Sequence, residues 1–65
     1  MQVYKNDGSG DIHIYANNLH LKVYKGQVTI QDPAPPPANT RLVTSKVLSK
    51  AVRKKIRSII EEYTL

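Results

Sequence analysis

The run Asp11-Ile12-His13-Ile14-Tyr15-Ala16-Asn17-Asn18-Leu19-His20-Leu21-Lys22-Val23-Tyr24 decides the fold. Apolar and polar residues alternate with period two on both sides of Asn17-Asn18, which is the pattern of half-buried strands and not of a helix. Asn tolerates positive φ, so the pair suits a two-residue hairpin turn. That turn sets Ala16 opposite Leu19, Ile14 opposite Leu21 and Ile12 opposite Val23, all on one side of a sheet.

Working outward, a two-residue turn at Lys25-Gly26 places Val23 opposite Val28 and Leu21 opposite Ile30 on that same side. Lys25 is the least comfortable of the turn residues, because tight hairpin turns require positive φ. Upstream, Asn6-Asp7-Gly8-Ser9-Gly10, centred on Gly8-Ser9, pairs Val3 with Ile14. Three separate turns thus select one apolar face. Their agreement predicts a four-stranded antiparallel meander over about residues 2–6, 11–16, 19–24 and 27–31. Its inner face is Val3, Ile12, Ile14, Ala16, Leu19, Leu21, Val23, Val28 and Ile30. The outer face carries Tyr4, His13, Tyr15, His20, Lys22, Tyr24 and Thr29, with both histidines expected in solvent.

Downstream, Asp32-Pro33-Ala34-Pro35-Pro36-Pro37-Ala38 can neither continue a central strand nor open a helix, and is expected to run as a stiff polyproline II spacer. It is long enough to lay the C-terminal segment on its own sheet or on a partner's. After an N-cap at Thr44 or Ser45, Leu48, Val52, Ile56, Ile59, Ile60 and Tyr63 recur at helical spacing. The whole chain, 1–65, therefore reads as one α+β domain: a meander over 2–31, a Pro-rich linker over 32–43 and an amphipathic helix over 44–63.

Charge is segregated along this plan. The net charge is +5, yet Lys5, Lys22 and Lys25 balance Asp7, Asp11 and Asp32 in the first forty residues. The excess falls in the last third, where Lys46, Lys50, Arg53, Lys54 and Arg57 follow one another at i, i+4, i+7, i+8 and i+11. On one helix those five form a cationic ridge opposite the apolar stripe, the arrangement that lies beside phosphates. A solvated face that keeps the protein soluble is the bland alternative.

Other motifs carry less. Tyr4, Tyr15, Tyr24 and Lys22 on the outer face could stack on unpaired bases, although aromatic residues also simply favour strands. His13 and His20 approach diagonally but lack a third metal ligand, and no carboxylate is expected beside them, so neither a metal site nor catalysis is predicted. Asp7-Gly8-Ser9-Gly10-Asp11 fails as a calcium loop, since Ile12 and Asn18 stand where Gly and Glu belong. Pro33 and Pro36 satisfy P-x-x-P without a flanking basic residue, which favours a spacer.

Sixty-five residues without cysteine bury little surface and have no disulfide to compensate, so a homo-oligomer, with a dimer favoured, is expected. No apolar run is long enough to span a bilayer and the N-terminus does not resemble a signal peptide, which points to a soluble cytoplasmic protein without membrane contact. The order of strands followed by a helix is similar to that of small dimeric single-strand-binding modules such as the PUR domains. That resemblance covers element order alone; it implies nucleic-acid contact and assigns no residue. The expected function is a small, cofactor-free, non-enzymatic nucleic-acid-binding module acting through the basic helix face. The alternative is a protein-binding accessory subunit gripping an acidic partner, of the kind phage and mobile elements encode, or a structural assembly protein.

Overall fold

The computed structural model describes residues 1–63. β1 (Gln2–Lys5), β2 (Ile12–Ala16), β3 (Leu19–Tyr24) and β4 (Gln27–Gln31) form the antiparallel meander. Its register is the one the turns dictate: Val3 pairs with Ile14, Ile12 with Val23, Ile14 with Leu21, Ala16 with Leu19, Val23 with Val28 and Leu21 with Ile30. Both two-residue turns hold positive φ at each central position, Asn17 (49°) and Asn18 (66°), then Lys25 (50°) and Gly26 (77°). Such turns match the right-handed twist of the strands they join. The longer first turn is closed by Asn6, whose side-chain oxygen accepts hydrogen bonds from the backbone N–H groups of Gly8 and Ser9.

The sheet has a fifth strand that the sequence reading assigns to the linker. β5 (Arg41–Val43) pairs antiparallel with β1, giving the order β4-β3-β2-β1-β5. Three residues after a proline run show no legible alternation, but β1 would otherwise leave a row of backbone groups unpaired on its outer edge. An exposed ion pair clips β5 in place: Arg41 Nε donates to Asp7 Oδ2 at 2.6 Å and Nη2 to Oδ1 at 3.2 Å.

The helix also begins later than the sequence suggests. Ser45–Val47 form a single 3-10 turn, Thr44 makes no side-chain cap, and Leu48 returns to an extended conformation. That excursion drives Leu48 into the core. α1 then spans Lys50–Tyr63, with Ser49 as its N-cap: the Ser49 hydroxyl accepts from the Val52 N–H at 3.2 Å and its carbonyl from the Arg53 N–H at 2.9 Å.

One face of the sheet meets α1. Val3, Ile12, Ile14, Leu21, Val23, Leu48 and Ile56 are buried together, with Val28, Val43, Val52, Ile59 and Ile60 half-buried around them. Tyr63, the last position of the expected stripe, is exposed. Ile30 is 46 % exposed on the edge strand β4.

Residues 32–40 run between β4 and β5, which are parallel and lie at opposite edges of the sheet. Nine extended residues reach about 28 Å, enough for the roughly 19 Å of four strand spacings. With α1 on one face, this proline strap starts on the other: its first carbonyl, at Asp32, lies 2.9 Å from His20 Nδ1, and Pro33 and Ala34 border a hollow with Tyr15 and His20.

Candidate nucleic-acid interface

Because Val52, Ile56, Ile59 and Ile60 pack on the sheet, the remaining arc of α1 is turned to solvent. Lys50, Arg53, Lys54 and Arg57 occupy that arc and, with Ala51, line one shallow depression. Lys50, Lys54 and Arg57 are exposed, whereas Arg53 is half-buried with its Nε lacking a hydrogen-bond partner among the described residues. No carboxylate among the described residues lies within ion-pair distance of any of the four. Lys46 is exposed but sits in the 3-10 turn, so the ridge along the helix has four members and Lys46 flanks it.

The placement of these charges opposes the helix dipole. The first turn of α1 carries no acid and its last turn no base, while Lys50 opens the helix and Glu61 and Glu62 lie near its end. A helix N-terminus bears partial positive charge, so each cation there costs about 0.3–1 kcal/mol relative to the favourable sign.

The outer-sheet candidates do not join this surface. Tyr4 and Tyr15 meet edge to face, with centroids 5.7 Å apart, on the side of the sheet away from α1. Burial, and then the neighbouring Tyr4, push the Tyr15 phenol up, and its hydroxyl is buried without a partner among the described residues. Tyr24 is exposed at the end of β3, its ring 5.4 Å from Lys25 Nζ, and takes no part in the Tyr4–Tyr15 pair. Lys22 is half-buried between His13 on β2 and Thr29 on β4.

The histidines correct the expectation of solvent exposure. His13 and His20 are only 8 % and 7 % exposed. His13 Nδ1 lies 2.8 Å from His20 Nε2, and the His20 ring stacks on Tyr15 with centroids 4.5 Å apart. A carboxylate does stand beside them, for Asp11 Oδ2 is 2.8 Å from His13 Nε2. The Ser9 hydroxyl, which donates to Asp11, and then His13 hold that carboxyl below the usual range against the opposing effect of burial. This contact corrects the expectation that no carboxylate stands beside the histidines, and the signal was there: Asp11, two residues before His13 on an alternating strand, falls on the same face. Nitrogens 2.8 Å apart are too close to share a zinc ion, which would hold them roughly 3.3 Å apart. No group of three or more potential ligands among the described residues is placed to hold a metal.

No helix among the described residues is long and apolar enough to cross a membrane. No family model, curated protein or solved structure compared with this chain matches it.

Proposed function

We propose that this chain is a small non-enzymatic module that binds nucleic acid through the solvent face of α1, with Lys50, Arg53, Lys54 and Arg57 contacting phosphates and Lys46 flanking them. The observation that carries the reading is a set of cations, unpaired among the described residues, whose first member, Lys50, opens the helix against its dipole. Phosphate favours the same end of a helix, so cations and backbone dipole act together on an anion although they oppose each other in the free protein. Binding of this kind rests on counterion release and is largely independent of sequence. Tyr4 and Tyr15 lie across the sheet from α1 and act at most as a separate contact.

The test is fluorescence anisotropy with labelled single- and double-stranded oligonucleotides across a salt series. Four phosphate contacts give a log–log salt slope of roughly −3 to −4 on duplex, with Lys46 adding about one more. Undetectable binding at low salt, or binding indifferent to salt, ends the proposal.

A second reading, a protein-binding accessory or self-assembling subunit, draws on exposed apolar side chains at the sheet edges: Leu42 on β5, 63 % exposed, and Ile30 on β4. It expects a dimer or larger species in sedimentation, and capture of an acidic partner that survives nuclease.

A further inference from the structure

His13 and His20 join a single line of hydrogen-bond distances that ends on the strap. Asp11 Oδ2 lies 2.8 Å from His13 Nε2, His13 Nδ1 lies 2.8 Å from His20 Nε2, and His20 Nδ1 lies 2.9 Å from the Asp32 carbonyl oxygen. Each link holds one proton. Both ends of the line are acceptors, a backbone carbonyl and a carboxylate kept ionised by Ser9 and His13. The terminal nitrogens, His13 Nε2 and His20 Nδ1, must therefore both be N–H donors, and the inner pair of nitrogens shares a third proton. Two neutral imidazoles carry only two protons.

We propose that this line is a proton-loaded latch, which holds the start of the proline strap on the sheet only while the two histidines together carry at least one proton more than two neutral rings. When that proton leaves, one of the three links must fail. The charge-assisted bond to Asp11 keeps His13 Nε2 protonated, and because the backbone ladder of β2 and β3 holds the inner nitrogens together, the His20 proton settles on Nε2 rather than leave two lone pairs facing each other. His20 Nδ1 is left with a lone pair facing the Asp32 carbonyl, and the strap end is released. When a second extra proton arrives, His13 Nδ1 and His20 Nε2 both become donors and repel across 2.8 Å. The strap link itself opens only as the first extra proton is lost, because His20 Nδ1 still donates to the Asp32 carbonyl after a second one arrives. Histidine is the side chain suited to such a change near neutrality.

The surrounding groups have different effects on this titration. The charged groups facing the pair are the Asp11 carboxylate beside His13 Nε2 and the ammonium of Lys22, the residue paired with His13. Tyr4, paired with His13 from β1, and Tyr15, stacked on His20, contribute phenols; Gln31, paired with His20 from β4, is uncharged. The Asp32 side chain on the strap is exposed to solvent.

Asp11→Asn separates this mechanism from ordinary acid and base unfolding. The Asn amide donates to His13 Nε2, so two neutral imidazoles fill all three links, while its oxygen can still accept from Ser9. The experiment follows the Asp32 carbonyl carbon shift and the histidine ring nitrogen shifts by NMR across pH, in the natural chain and in Asp11→Asn. The natural chain is expected to change its Asp32 shift once as pH rises, with His13 Nε2 and His20 Nδ1 both protonated on the acid side of that change. Asp11→Asn is expected to lose the change. An Asp32 shift flat across pH in the natural chain, the same change surviving in Asp11→Asn, or an unprotonated terminal nitrogen on its acid side overturns the latch. The ring nitrogens of the natural chain decide the matter even where the variant fails to fold.

Discussion

At the residue scale, the sheet depends on a few fully enclosed side chains. Ile14 is wholly buried and Leu21 nearly so, paired at the centre of the sheet under α1. Replacing Ile14 with Ala is expected to cost about 2–5 kcal/mol. A domain this small has little more than that in reserve, so urea denaturation of Ile14→Ala should show a largely unfolded population without denaturant. Lys25 is a point of stored strain, a non-glycine side chain at φ 50°. Lys25→Gly should raise stability by about 1 kcal/mol in the same titration, because a Cβ in the left-handed region is penalised by roughly that much. Asn17 and Asn18 hold the same conformation at lower cost, since Asn accepts it more readily.

At the element scale, α1 makes two opposed demands on its first turn. Ser49 is its cap, so Ser49→Ala should lower stability by about 1 kcal/mol, whereas Thr44→Ala, which removes no cap bond, should not. Lys50→Glu should do the reverse, gaining about 0.3–1 kcal/mol in thermal unfolding by complementing the dipole while weakening oligonucleotide binding. A variant that gains stability and binds as well as before would remove the reason given for the cation there. β5 also carries the Arg41–Asp7 pair, and Arg41 is the main cause of the lowered Asp7 carboxyl. Arg41→Gln should let Asp7 titrate at higher pH by carboxyl-carbon NMR. The link in the natural chain is present above the ordinary carboxylate range and lost as pH falls through the depressed value.

The division between what the sequence showed and what it hid tracks the range of the interactions. The meander was legible down to individual cross-strand pairs, because Asn17-Asn18 and Lys25-Gly26 fix register locally and a slip of one residue would expose Ile14 and Leu21 together. The apolar stripe and the outward arc of cations were legible for the same reason. β5 was not, since Arg41-Leu42-Val43 pairs with β1 nearly forty residues away and carries no period of its own. Helical spacing also concealed the break at Leu48: its extended backbone and a helical one both bring that side chain to the core, and only the backbone shows which is used. The Asp11–His13–His20 line joins a turn, two strands and the strap, and its burial depends on what lies over that face of the sheet.

At the scale of the whole molecule, the chain is a thin slab, 34 × 24 × 17 Å, with two unlike faces. One presents the cations of α1; the other holds the paired histidines and the start of the proline strap. The central claim is that the first of these meets nucleic acid. Backbone amide NMR during titration with a short duplex tests it most directly, because it reports where contact occurs as well as whether it does. At low salt the largest shift changes should fall on Lys50, Arg53, Lys54 and Arg57 and reverse as salt is added. Shifts confined to Tyr4, Tyr15 and their neighbours, or no shifts at all, would contradict it.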